Sequence, residues 1–300
     1  MKIIVVGGAG MIGGRTALHL KAQGHDVTIA GRNAPAAGTP LGDLPFERVD
    51  YVAMDFDRAA LGKFDALVFA AGNDVRHQPQ DVGDDYWHDA NSIGVPRFFE
   101  AAKAAGIKRA VNIGSFYPQA APKLVATNPY VRSRQMSDEG VAALSGGDFV
   151  AMSINAPFVV GAVPGLVVPM FAAYTQYAEG KFAPMPEFAP PGGTNFISTQ
   201  SLAEAVEGGL ERGASGASYL VGDQNMTFQN YFGAFFEAVG RNKPPVLDQE
   251  HPMLPDSAIF FGRGNTLYYD VDPEVEKLLA FRRDDVVPAI EEIVAQYRTA

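Results

Sequence analysis

Cysteine is absent from the 300 residues. The chain therefore forms no disulfide and no thiolate metal site, and it has no cysteine nucleophile; no metal site is expected. Long hydrophobic runs are missing as well. No stretch approaches the ~20 apolar residues of a membrane span, and the opening Met1–Val6 run is too short for a signal segment and leads directly into glycines. A cytoplasmic protein with no membrane partner is expected. Positive charge is scarce: 24 Lys and Arg stand against 34 Asp and Glu, a formal net charge of −10. Such a surface repels a phosphate backbone unless a basic cluster opposes it. None is visible, so nucleic acid is not an expected partner.

What remains is a globular composition, 47% apolar and 19% charged. The length exceeds one compact core, which implies a large α/β domain or a main domain with a smaller companion. Apolar β-branched runs alternate with helical-period segments. They predict strands near 2–6, 26–30, 49–54, 66–70, 109–113 and 148–154, and helices near 11–23, 84–105 and 129–145. That order predicts an α/β fold, a Rossmann-type doubly wound parallel sheet covered on both faces. Prolines 35, 40 and 45 make 33–47 a loop. Past residue 155 the texture changes, with prolines from Pro157 to Pro191 interrupting an aromatic-rich stretch. Further helices are predicted near 199–212, 227–239 and 284–298. The expected division is a dinucleotide-binding domain over 1–155 and a smaller, partly interleaved substrate region over 156–300.

The glycines of Gly7-Gly8-Ala9-Gly10-Met11-Ile12-Gly13 follow an apolar strand and open a helix. Glycines there permit a tight turn and let backbone N–H groups approach a pyrophosphate, whose charge the helix N-terminus stabilises. Gly7, Gly10, Met11, Ile12 and Gly13 are thus candidate cofactor contacts. An NAD site commonly places Asp or Glu at the end of the second strand. Here that strand ends in Gly31-Arg32-Asn33. A guanidinium clamps a 2′-phosphate that a carboxylate would repel, so NADP(H) is the expected cofactor, with NAD the alternative. Asp55 is placed either to meet the adenine amino group or to cap a helix over 57–62.

These glycines, Ala70-Ala71-Gly72, Asn91, Ser115 and Pro129-Tyr130-Val131-Arg132-Ser133-Arg134 together resemble the short-chain dehydrogenase/reductase superfamily, in its extended or atypical, epimerase/dehydratase-like form. The resemblance continues in Ala156–Gly161, Gly193–Ile197 and Ser201–Ala205. It implies Tyr130 as general acid/base, Ser115 as the hydroxyl that polarises the substrate oxygen, Asn91 as a structural or water-holding residue, and Ala70, Ala71, Gly72, Tyr130 and Arg134 beside the cofactor. Arg134 replaces the lysine usual in this family. The residues support the same chemistry: Asn128-Pro129 reads as an N-cap and first-turn proline, placing Tyr130 in the opening turn and Arg134 one turn later on the same face. A free tyrosine, with pKa ~10, is too weak a base at neutral pH. A cation ~4 Å away at an effective dielectric of ~20 contributes about 4 kcal/mol, enough to lower that pKa by roughly 3 units before desolvation. Arginine keeps this charge but cannot release a proton into a relay.

Ser115 precedes Tyr130 by 15 residues, just beyond a strand's carboxyl end. Tyr117 is an alternative phenol lacking a basic residue one turn away, and His77 and His88 are further pocket candidates. Between Arg134 and Arg212 the one basic residue is Lys181, too few cations for a nucleotide-sugar diphosphate. The same stretch supplies Phe158, Met170, Phe171, Tyr174, Tyr177, Phe182, Met185 and Phe188, suited to an apolar pocket. The expected function is NADP(H)-dependent oxidoreduction at the carbonyl or secondary alcohol of a small, largely apolar molecule. An epimerase or dehydratase without net redox change, and a non-catalytic NADP sensor, are the alternatives. The helices near 84–105 and 129–145 are candidate faces for a homodimer, as in many relatives, or core elements.

Overall fold

The computed structural model describes residues 1–73, Gly83 and 85–298. In chain order its strands are β1 (Lys2–Val6), β2 (Asp26–Gly31), β3 (Phe46–Arg48), β4 (Ala66–Phe69), β5 (Arg109–Ser115), β6 (Val150–Ala156), β7 (Phe158–Val160), β8 (Gly193–Ser198), β9 (Ser218–Leu220), β10 (Gln224–Thr227) and β11 (Thr266–Leu267). The main sheet runs β3-β2-β1-β4-β5-β6-β9, every pairing parallel. Strand side chains alternate between faces, and both faces here are covered. Ile3 and Val5 pack with the first helix (Met11–Ala22) and with Thr199–Arg212, whereas Ile4 and Val6 pack with Val95–Ala104 and Pro129–Leu144. Double coverage explains why Ala66–Phe69 is apolar at every position.

Two expectations of secondary structure needed correction. The third strand is Phe46–Arg48 rather than 49–54, because the Asp50 carboxylate accepts from the N–H groups of Val52 and Ala53, both at 3.1 Å, and turns the chain there. The helix over 84–105 is not uniform: Asp85–Trp87 is α, His88–Gly94 is a π-helical stretch and Val95–Ala104 returns to α. Such bulges interrupt the ordinary spacing and are frequent at functional sites.

Past residue 156 the chain does two things. Thr199–Arg212 and β9 return to the main sheet, the helix packing beside the first helix. The rest builds a second sheet around β8, which pairs with β7 and β11 in parallel and with β10 antiparallel. Helices Pro169–Ala178, Phe228–Ala238 and Val286–Tyr297 pack on one another beside it. Their contacts absorb Phe171, Tyr174, Tyr177 and Phe188 into a buried core, with Met170, Phe182 and Met185 at its margin. Those aromatics were expected in a pocket, so the expectation is overturned for them; burying such large rings satisfies the core's own hydrophobic demand. Among the described residues no helix is long and apolar enough to cross a membrane.

His251 is fully buried in this core, against the rings of Tyr177, Phe188 and Phe232. Its Nδ1 accepts from the Met253 N–H at 3.2 Å. Burial lowers its pKa to about 4, a backbone contact with Phe188 opposing the shift. The unfolded chain therefore takes up a proton near pH ~6.5 that the folded protein refuses until about pH 4, and stability falls as pH drops through that window. His251→Asn keeps an acceptor near Nδ1 without titrating. Denaturant midpoints measured across the window are expected to show the variant losing about 3 kcal/mol less than the parent; parallel losses would remove this role from His251.

Candidate active site

Because the main strands are parallel, the residue that follows each one lies along a single carboxyl edge of the sheet. In spatial order from β2 through β1 and β4 to β5, that edge carries Arg32, the glycine turn, Ala70-Ala71-Gly72 and Ser115. Three strand spacings separate the ends of this row, about 14 Å. The chain also reverses its winding between β1 and β4, the switch point where such sheets bind ligands.

Each glycine of the turn has its own reason. Gly7 has φ +83°, and a Cβ there would lie 2.7 Å from the Ala70 carbonyl group. A Cβ on Gly13 would strike the Gly7 carbonyl oxygen, so helix and strand can approach closely. Gly10 differs: a Cβ there would meet only the Gly7 oxygen at 3.4 Å, leaving open space at an exposed helix N-terminus that no side chain caps. Met11 and Ile12 form the first helical positions behind it.

Farther along the edge, Ser115 ends β5 and is buried; its Oγ accepts from the Tyr117 N–H at 3.5 Å. Asn128 caps the next helix, accepting from the Val131 N–H at 3.0 Å, which places Tyr130 in the opening turn. Tyr130 is buried, 5.1 Å edge-on from Trp87 and 5.5 Å from Phe260. Arg134 is buried one turn later. Its Nη2 donates to the Ile113 carbonyl oxygen at 2.8 Å, and its Nη1 lies where a Cβ on residue 72 would be, so Gly72 makes room for the guanidinium.

Asn91 sits in the π-helical stretch, fully buried. Its Oδ1 accepts from the Asn73 N–H at 3.0 Å, and its Nδ2 donates to the Asn73 carbonyl and to Ser133 Oγ, both at 3.1 Å. Ser133 Oγ in turn donates to the Tyr130 carbonyl at 2.7 Å. These contacts make Asn91 a brace between the segment after β4 and the Tyr130 helix.

Other candidates are less centrally placed. Arg32 is exposed just past β2. Asp55 is ion-paired with Arg48 at 2.5 Å, both exposed, and the cap of the short helix Arg58–Leu61 is Asp57, not Asp55. His88 is exposed, and His77 lies outside the described residues. Sequence reasoning missed Tyr51. Its buried hydroxyl has no hydrogen-bond partner among the described residues, and burial pushes its pKa up to about 12, with the Arg134 and Arg32 charges opposing. It also missed Trp87, Phe260 and Phe261, whose signal is the aromatic doublets Tyr86-Trp87 and Phe260-Phe261.

The sequence profile of the NAD dependent epimerase/dehydratase family matches residues 3–190. This chain belongs to that family. A UDP-glucose 4-epimerase from Corynebacterium glutamicum is 26% identical over 189 residues, 60% of this chain and 55% of that enzyme; the match thus spans about half of that relative. Among solved structures, the protein gox2253 superposes with a TM-score of 0.78 at 19% identity, over 99% of this chain and 98% of that one. A UDP-glucose-4-epimerase from Stenotrophomonas maltophila, with bound NAD and formylated UDP-arabinopyranose, gives 0.76 at 19% identity, covering 100% of both chains. A UDP-N-acetylglucosamine 4-epimerase from Bacillus cereus gives 0.74 at 17%, again over 100% of both.

The residues fit the dinucleotide that this family's name implies. The helix start at Gly10, open and without a side-chain cap among the described residues, accommodates an anion, and the Tyr51 hydroxyl, which has no hydrogen-bond partner among those residues, is a polar group within electrostatic reach of both Arg32 and Arg134. Arg134 carries a steric condition at Gly72. Gly72→Ala is expected to displace the guanidinium and destabilise the protein by about 1–3 kcal/mol, and combining it with Arg134→Lys should recover much of the loss. A double-mutant cycle by thermal unfolding measures this; additive effects would sink the coupling.

Proposed function

We propose that the protein is an NAD(P)-dependent epimerase or dehydratase whose dinucleotide stays bound while a secondary alcohol is oxidised and re-reduced. The observation that carries this reading is the seat of Tyr130: the buried opening turn of a helix that packs on β5, the strand ending in Ser115, with a buried guanidinium one turn behind. Family membership and the 4-epimerase relatives favour a redox-neutral outcome.

When bound, the dinucleotide supplies a hydride acceptor that later returns the hydride. Tyr130 takes the hydroxyl proton of the substrate and gives it back, while the Ser115 hydroxyl donates to the same oxygen. Arg134 supplies fixed positive charge, and since a guanidinium holds its protons at working pH, proton traffic ends at Tyr130. Gly7, Gly10, Met11, Ile12 and Gly13 would hold the pyrophosphate, with Ala70, Ala71 and Gly72 along the same cleft. Asn91 acts through position alone, keeping Asn73 and the Tyr130 helix in register.

A second reading, an NADPH-dependent carbonyl reductase, shares the same expected preference for the phosphorylated dinucleotide. Arg32 stands exposed past β2, in a Gly31-Arg32-Asn33 segment that itself carries no carboxylate to repel a 2′-phosphate. On either reading NADP is preferred to NAD, and Asp55, held by Arg48, stays a candidate for the adenine side.

Tyr130→Phe is expected to lower kcat by about 10²–10⁴-fold while the dinucleotide dissociation constant, read by calorimetry, stays within about twofold. Interconversion of two epimeric alcohols with no net nicotinamide absorbance change supports the epimerase. Stoichiometric oxidation of NADPH by ketones or aldehydes would replace it with the reductase, and tight binding without either turnover would leave a sensor. Arg32→Glu should weaken NADP binding at least tenfold, the equivalent of ~1.4 kcal/mol, and leave NAD binding unweakened; an unchanged NADP affinity would refute the role of Arg32.

A further inference from the structure

Two observations outside the catalytic residues bear on which molecule reaches Tyr130. The first is electrostatic. Between residues 156 and 298, every lysine and arginine except Lys277 and Arg298 has a carboxylate of the same region within ion-pair distance, from Lys181 with Glu179 at 2.9 Å to Arg283 with Glu276 at 2.7 Å. Lys277 sits on a helix, Pro273–Leu279, that packs against Thr199–Arg212, and Arg298 is exposed at the end of the last helix. A nucleotide diphosphate needs cationic clamps, and recruiting the paired ones would first break existing ion pairs.

The second observation is the aromatic wall. Phe260 lies 5.5 Å from the Tyr130 ring and 5.1 Å from Tyr117, and Phe261 lies 6.5 Å from Tyr117. Both phenylalanines are only half-buried, so each still presents apolar surface. Their segment is braced. Arg263 bridges Asp256 at 3.2 Å and Asp248 at 3.4 Å, and Asn265 Nδ2 donates to the Phe261 carbonyl at 2.9 Å. The Gly264 N–H reaches the Pro191 carbonyl at 3.2 Å. Gly262 and Gly264, with φ of +85° and +83°, allow the turns that this bracing requires. Phe260 is thus held in place beside Tyr130 by its own loop, and it lies beyond the stretch that matches the family profile.

We propose that Phe260 is a specificity-determining residue of the Tyr130 site, and that it selects a non-nucleotide secondary alcohol or ketone whose apolar or aromatic body packs against its ring. This rests on Tyr130 being the acid/base centre. Aromatic faces reward offset or edge contact with an apolar partner, and the committed cations give a diphosphate nothing equivalent.

The chain contains a single tryptophan, and Trp87 is in edge contact with Tyr130, so its emission reports directly on this site. The experiment loads the protein with NADP⁺ and titrates it with 1-phenylethanol or with UDP-glucose while Trp87 fluorescence is followed. The expected result is a saturable change with 1-phenylethanol and none with UDP-glucose over the same concentrations. Phe260→Ala should weaken the alcohol about tenfold and leave NADP⁺ affinity intact; Phe260→Leu, which keeps apolar volume for folding, should weaken it less. Saturation by UDP-glucose at lower concentration than the alcohol, no response to the alcohol, or alcohol binding unchanged in both variants overturns the proposal. The titration reads binding rather than turnover, so its outcome is separate from that of Tyr130→Phe.

Discussion

Parallel pairing of the main sheet is the constraint on which the site depends. Seven strands running one way deliver the ends of β2, β1, β4 and β5 to a common edge, although these residues are spread from Gly7 to Ser115 in sequence. No single loop could position them with comparable rigidity, because each strand end is fixed by ladder hydrogen bonds on both sides and by helices on both faces. The glycine turn exploits this: its close approach to Ala70 holds only because β1 and β4 are adjacent.

Within that frame, two buried polar residues tie the Pro129–Leu144 helix to the strands. Arg134 bonds the end of β5, and Asn91 bonds both Asn73 and Ser133. Buried polar groups are costly unless paired, so these bonds define one arrangement of helix and sheet rather than a range of them. The π-helical stretch His88–Gly94 gives the turn on which Asn91 stands a different spacing from its neighbours. Arg134 brings a planar fork, and the absence of a side chain at Gly72 is the local accommodation.

Much of this was legible in the sequence because it is local. Periodicity marks β1, β2, β4, β5 and β6 and the helices Met11–Ala22, Pro129–Leu144 and Thr199–Arg212; Asn128-Pro129 marks a helix start by hydrogen-bond chemistry. What was not legible depends on contacts distant in sequence. Residues 49–54 look strand-like, yet the Asp50 side chain turns them. The aromatics from Phe171 to Phe188 look available for a ligand until Phe232, Phe235 and His251, more than forty residues later, are seen to pack on them. Pro169 reads as a breaker, although at a first helical position its missing N–H costs nothing. Phe260 shows no pattern until the fold brings it beside Tyr130.

The seventh strand has a consequence for how the molecule is made. β9 hydrogen-bonds to β6 from some sixty residues downstream. While the ribosome is still synthesising that interval, the outer rim of β6 is bare and able to template unwanted pairing with another nascent chain. Only the emergence of Ser218–Leu220 seals it. Completion of the main sheet therefore waits on a segment far downstream of β6, and exposure to aggregation should be greatest before Ser218–Leu220 emerges.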